Sequence, residues 1–362
     1  MFRRDRRLML PPFALSMALV AVLACCESQP DTMRRTPGPG EQSPSESSRI
    51  WQVGRIRTPG ANPLVVGEEA IWIAGSSSGD GRADAPVLRL DPATGRVERE
   101  TNFGYLHEDL VLAFESLWVA SSSGACVFYS CGMGGDSPPQ TPEFPGENSL
   151  ARLDPVTLQM TKAIPLTGPY KIVAAFGSMW VSAWGAGPGS DILRIDPETN
   201  DVIASIRVPA DPGTLVEASG SLWALAKVTR ESPRGWALVR VDPGRDEVTQ
   251  IIELPRLQGP MSLTVGRGDL WIGGWSGRIV RLDPETGRIT LTVVTGLPVM
   301  DISVGPVGVW VIGQRELAEV DVRSGRVEGT FRIGGAPMWF ARQAEGRMWV
   351  MTNQGFFEWP PS

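Results

Sequence analysis

One histidine, His107, serves the whole 362-residue chain, and only four cysteines accompany it. That scarcity excludes much chemistry. Residues 108–362 hold no His, so a His-ligated zinc centre has nothing to build on. A Ser-His-Asp triad would have to use His107, and G-x-S-x-G sits at no strand-to-helix elbow. Neither a phosphate loop nor a dinucleotide fingerprint occurs. Charged residues make up only 20% of the chain, and no run of Lys or Arg interrupts its body. Nucleic acid is therefore not an expected partner.

What the chain has in quantity is Gly (41) and Pro (31), over an apolar content of 42%. That mix points to many short strands joined by tight turns around an ample core. The length allows one large domain or two medium ones.

The first residues differ from the rest. Arg3, Arg4, Arg6 and Arg7 form a basic start, and Leu8 to Leu23 is almost wholly apolar, interrupted by Pro11 and Pro12. Basic start, short apolar stretch and small residue before a cut site read as an export signal over 1–25. The stretch is too short and Pro-broken for a permanent span. Val22-Leu23-Ala24-Cys25 resembles a lipobox, with Cys25 as the lipidation site; plain secretion and an uncleaved anchor are the alternatives. Arg6-Arg7-Leu8-Met9-Leu10 is a poor match to a twin-arginine signal. Residues 26–49, rich in Pro, Ser, Gly and Glu, have almost nothing to bury and read as a disordered linker. Removing residues 1–24 takes away four Arg and one Asp, three net positive charges, and turns the formal −6 into −9.

From residue 50 onward a repeat governs the chain. One Trp recurs in the same context: AIWIAG (Trp72), SLWVAS (Trp118), SMWVSA (Trp180), SLWALA (Trp223), DLWIGG (Trp271), GVWVIG (Trp310) and RMWVMT (Trp349). A second motif trails most of them: VLRLDPATG (Asp91), LARLDPVTL (Asp154), ILRIDPETN (Asp196), LVRVDPGRD (Asp242), IVRLDPETG (Asp283) and LAEVDVRSG (Asp321). Each unit resolves into four short strands. In the Asp-Pro-x-Thr-Gly turn, Asp bonds its own backbone, Pro presets φ and Gly supplies φ > 0. Four strands per unit, repeated seven times over 50–362, predict an all-β, seven-bladed β-propeller of four-stranded antiparallel blades. The last unit stops at its third strand, Gly355 to Trp359, while Ile50 to Ile56 reads as a fourth strand with no blade before it. The expected closure pairs this N-terminal strand with the last blade and removes the free edges.

The G-x-LW-V strand and R-LDP-x-TG-x-V turn make residues 50–362 resemble the virginiamycin B lyase-like and YVTN-repeat propellers. The resemblance implies a metal-assisted lyase or hydrolase whose metal is held by His and acidic residues of the later blades. No His stands in those blades here, so the His part of that ligand set is missing, and this reading is kept as the alternative to a binding module.

The seven repeat Trp residues are expected in the core between blades. The repeated Asp residues are expected to cap turns, and Arg89, Arg152, Arg194, Arg240 and Arg281 to form an outward solvated face. His107 is read mainly as a surface-loop residue, with ligand contact and catalytic base as alternatives. Cys126 and Cys131, with four residues between them in a long insertion from Ser121 to Ser149, are expected to form a disulfide.

Stacking the blades brings out a further set. Nine positions before each Trp stand Pro63, Asp109, Lys171, Thr214, Ser262 and Asp301, with Trp339 aligned after one extra residue. Four positions after each Trp stand Ser76, Ser122, Trp184, Lys227, Trp275, Gln314 and Asn353. In an up-and-down blade both positions lie at one end of the ring. The expected ligand site therefore comprises Asp109, Lys171, Trp184, Lys227, Trp275, Asp301, Gln314 and Asn353, with His107 nearby. No cofactor is evident; Asp109 and Asp301 are the candidates for a divalent cation. The expectation is a monomeric cell-envelope lipoprotein that takes a small molecule or an envelope protein on its variable face, attached to the membrane through its lipid.

Overall fold

The computed structural model describes residues 50–51, 63–76, 84–122, 148–183, 190–228, 235–254, 257, 259–306, 308–332, 338–344, 347–352 and 355–359. Cys25, the linker, Cys126, Cys131, Trp184 and Asn353 lie outside them. The described residues form four-stranded antiparallel sheets in a β-propeller arrangement. The first strand of each sheet is Leu64–Val66, Leu106–Ala113, Pro169–Ala175, Asp211–Ala218, Pro260–Gly266, Asp301–Gly305 or Met338–Ala344. The second, which carries the repeat Trp, is Ile71–Ala74, Ser116–Ser122, Ser178–Ala183, Ser221–Val228, Asp269–Gly274, Gly308–Ile312 or Arg347–Thr352. The third is Pro86–Leu90, Ser149–Leu153, Ser190–Ile195, Gly235–Asp242, Arg278–Asp283, Glu316–Asp321 or Gly355–Trp359. Six sheets end on the strand that follows: Val97–Asn102, Met160–Pro165, Val202–Val208, Glu247–Glu253, Arg288–Val294 or Arg326–Arg332. The remaining sheet takes Ile50–Trp51 as its outer strand, with Ile50 opposite Phe357 and Trp51 opposite Phe356. First strands contact the first strands of neighbouring sheets, which makes them the inner ones.

Two turns recur because the sequence supplies their chemistry. The hairpin from first to second strand has positive φ at both tip residues in Phe176-Gly177, Ser219-Gly220 and Arg267-Gly268, the signature of a type I′ turn. At the turn from third to fourth strand, the carboxylate of Asp91 accepts from the backbone N–H of Ala93 (2.7 Å) and Thr94 (3.0 Å). Asp154, Asp196, Asp242, Asp283 and Asp321 repeat the cap. The Thr94 and Ala93 amides hold the exposed Asp91 carboxyl below the usual range, as the Thr157 amide does for Asp154. The expected capping role is what these residues perform.

The tryptophans fill the seams. Trp118, Trp180 and Trp223 are fully buried and none of the seven exceeds 5% exposure. Each packs into the following sheet: Trp72 with Leu110 and Val119, Trp180 with Leu215 and Val239, Trp310 with Ala341 and Val350. Trp349 packs with Leu64, Ile71 and Leu88 of the first sheet. The indole N–H is not wasted: Trp118, Trp180, Trp223 and Trp271 each donate to the carbonyl five residues upstream.

The arginines overturn their expectation. They do not form a solvated outer face. Arg152, Arg194, Arg240 and Arg281 lie over the rings of Trp118, Trp180, Trp223 and Trp271, at 5.0, 5.2, 5.4 and 5.9 Å from the centroids. Arg152 reaches Pro197 O and Asn200 Oδ1 in the next sheet, and Arg194 reaches Pro243 O and Asp246 there. Arg89 is paired with Glu98 and its side chain is only 13% exposed. The reason is geometric. On a third strand the face away from one core is the face toward the next blade, so a long side chain with an apolar stem and a planar head fits the seam.

Candidate functional site

Because first and second strands are antiparallel, the start of the first and the end of the second share one end of the sheet. Residue pairing puts Asp109 opposite Ala120, Ser262 opposite Gly273 and Asp301 opposite Ile312. In the last sheet Phe340, not Trp339, occupies this register, opposite Met351. The aligned residue was wrong by one because the bulge between Met338 and Phe340 inserts the extra residue before Phe340, earlier than the sequence suggests. Similar bulges interrupt the first strands between His107 and Asp109, Pro169 and Ile172, Pro212 and Leu215, and Pro260 and Ser262. A bulge turns an extra side chain out of the ladder, and here that happens at the same end of five sheets.

At the second sheet the bulge delivers Glu108, which sequence reasoning passed over between two chosen neighbours. Glu108 is 8% exposed, and burial raises its carboxyl pKa above the usual value; the Lys171 charge and the Ser122 hydrogen bond pull the other way. Ser122 Oγ donates to its Oε1 at 2.9 Å. Lys171, from the third sheet, donates from Nζ to the Glu108 backbone carbonyl at 2.6 Å and lies 5.0 Å from the Tyr170 ring centroid. A buried carboxyl, an ammonium group, a hydroxyl and an aromatic face thus gather where two first strands meet.

The other two acids do different work. Asp109 accepts from Leu110 N and, across the seam, from Ile172 N, both at 3.0 Å. Asp301 accepts from Ser262 Oγ at 2.7 Å and from Ala341 N at 3.1 Å, linking three consecutive sheets. These oxygens tie blades together. Among the described residues, no group of three or more His, Cys, Asp or Glu side chains is placed to hold a metal ion. The described residues therefore show no ligand set of the kind that the family resemblance implies, and Asp109 and Asp301 accept their hydrogen bonds at different seams.

His107 is not on a surface loop. It sits in the first strand of the second sheet, fully buried, with Nε2 3.2 Å from Ala85 O and the Phe103 ring centroid 4.6 Å away. The strand already begins at Leu106, so His107 stands within the ladder, opposite Ser121. Lys227 is exposed and stands opposite Asp211 and Trp236 in the strand ladders. Trp275 is 45% exposed and Gln314 is exposed, each near the tip of a tight turn from second to third strand. Gly259, at φ +53°, lies under the Trp275 indole; a Cβ there would come within 3.0 Å of the ring. Asp109, Lys171 and Glu108 are brought together, whereas Trp275, Gln314 and Lys227 stand singly on their own sheets.

The opposite end carries an open groove of about 310 Å³ lined by Glu115, Ser116, Arg152, Asp154, Thr161, Lys162 and Asn200. Its main polar groups are already engaged, Arg152 with Ser116 and Asn200, and Asp154 with its own turn.

No protein-family model matches the chain, and no curated protein matches it. Among solved structures, it is similar to Kuenenia stuttgartiensis hydrazine synthase, with a TM-score of 0.66 at 11% identity over 85% of this chain and 97% of that one. In all, 1330 solved chains match. A fold shared so widely, at such low identity, defines the architecture of a β-propeller and carries no activity with it.

Proposed function

We propose that this chain is an exported, seven-bladed propeller of the cell envelope that binds a small ligand or a partner protein at the end carrying Glu108 and Lys171. The carrying observation is the buried Glu108 carboxyl, held beside Lys171, Ser122 and Tyr170 where two inner strands meet. Burying an acid is costly, and sites that bind accept such costs. In this reading the ring closes through Ile50–Trp51, which the Trp349 packing against the first sheet supports. A lipid on Cys25 anchors the protein, residues 26–49 act as the tether, and Cys126 and Cys131 form a local disulfide. The site takes a ligand that offers hydrogen-bond donors to Glu108 and acceptors to Lys171, so recognition is polar and needs no metal.

The test uses the full-length chain as immobilised bait for envelope extracts, with captured molecules identified by mass spectrometry. A Glu108→Gln, Lys171→Met variant should retain fold and lose capture by tenfold or more, about 1.4 kcal/mol. Equal capture by both proteins would put the site elsewhere. In the same cells Cys25→Ala should move the protein out of the membrane fraction, and a wild-type protein found wholly soluble would end the anchor reading.

A further inference from the structure

His107 and Ser121 face each other across the first and second strands of the second sheet. Directly opposed residues of an antiparallel pair project to the same side, with Cβ atoms about 4.5–5.5 Å apart. Both are 0% exposed. Yet each has a polar atom with no partner among the described residues, Nδ1 of His107 and Oγ of Ser121. The residues that follow them in sequence behave differently: Glu108, in the bulge, and Ser122, opposite Leu106, bond each other directly at 2.9 Å. That contact is closed, whereas His107 Nδ1 and Ser121 Oγ are open among the described residues.

The open pair has a defined polarity. Nε2 of His107 lies 3.2 Å from the Ala85 carbonyl, which can only accept, so Nε2 carries the proton and Nδ1 presents a bare lone pair. Burial keeps the imidazole neutral, lowering its pKa to about 4. Ser121 supplies a hydroxyl that can donate or accept. Buried polar atoms are rarely left unpaired, because desolvation without a replacement bond is costly. One imidazole nitrogen and one serine oxygen are too few ligands for a metal ion. A carbonyl guest would leave Nδ1 without a donor. The smallest group that serves both atoms has one proton to give and a lone pair to receive.

We propose that the seam between the first and second sheets binds a single hydroxyl group, which donates to Nδ1 of His107 and accepts from Oγ of Ser121. The hydroxyl belongs either to an internal water or to an organic ligand. Its position does not depend on the reading of Glu108 and Lys171.

His107 is the only histidine, so imidazole labelled with 15N gives one assignable pair of nitrogen signals in an untagged full-length protein. The expected spectrum has a protonated Nε2 and an Nδ1 signal displaced from the bare-lone-pair position by an accepted hydrogen bond. Ser121→Ala should move the Nδ1 signal, and Ser121→Cys, which keeps a weak donor at similar size, should move it less. A cross-peak from His107 to a long-lived water identifies water as the source. A saturable change on titration with methanol identifies a site open to an organic hydroxyl. An Nδ1 signal at the bare position, a protonated Nδ1, or coupling of Nδ1 to another group of the protein would overturn the proposal. The wild-type spectrum decides between these results even if a Ser121 variant does not fold.

Discussion

The two ends of the propeller solve the same problem with different means. At the Asp-Pro end, seams are tied by a repeated device, an arginine laid over a tryptophan and reaching the next turn, as in Arg152 and Arg194. At the other end, each tie is individual: Asp109 to Ile172 N, Ser262 and Asp301 in relay to Ala341 N, Lys171 to the Glu108 carbonyl. Repetition at one end frees the other from having to be uniform. That freedom is where a buried carboxyl and an incompletely paired histidine can be kept, and it is why we propose the working site there.

The sharpest way to break this comparison is to remove a tryptophan from each end. Trp180 is fully buried in the seam, and its indole bonds Ala175 O at 3.0 Å. Trp180→Ala should cost about 3–5 kcal/mol in denaturant unfolding. Trp275 is 45% exposed at the variable end, and Trp275→Ala should cost less than about 0.5 kcal/mol. A large loss from Trp275→Ala would mean that its stacking over Gly259 is part of the scaffold and not a surface open to a ligand.

The next effect separates the ends by pH. In the unfolded chain the His107 imidazole takes a proton near 6.5, in the fold only near 4. Below pH 6.5 the unfolded state therefore binds the proton first, and stability falls until about pH 4, where both states are protonated. The whole loss is on the order of 3 kcal/mol. Glu108 works in the opposite direction. Burial raises its pKa, so its charged form opposes folding at neutral pH and that penalty fades as the carboxyl is protonated. Denaturant midpoints between pH 7 and pH 4 should show the net fall, and His107→Gln should flatten it. An unchanged slope in that variant would assign the acid sensitivity to other groups.

Most of the architecture was legible because it rests on repetition. A Trp and an Asp-Pro turn recurring in fixed order report strands, turns and seams together, and those residues do in the structure what their chemistry suggested. The site was less legible for a physical reason. β-Bulges break the period of two, so counting from the Trp selects Asp109 and passes over Glu108, and counting in the last sheet selects Trp339 where Phe340 stands. Single-blade alternation also cannot tell a face turned to solvent from one turned to the next blade, which hid the role of Arg152 and Arg194. His107 misled because a lone polar residue looks like a loop residue, when its ring in fact fills a seam beside Phe103.

The smallest predicted effect examines whether the Asp-Pro end is purely structural. Its hairpin tips have positive φ at both residues, and the second is Gly177, Gly220 or Gly268 in three sheets. In the second sheet the tip is Phe114-Glu115, with Glu115 at φ 56°. A non-glycine side chain in the left-handed region costs about 1 kcal/mol. Glycine loses more backbone entropy on folding, which offsets part of any gain from relieving that strain. Glu115→Gly should therefore raise stability by a few tenths to about 1 kcal/mol, read as a shift in the urea midpoint at unchanged slope. Glu115 also lines the groove with Arg152 and Lys162. If the glycine variant is less stable than the parent, the carboxylate contributes more through those cations than its backbone strain costs. The groove would then be a charged feature of its own, and the division between a fixed end and a working end would have to be redrawn.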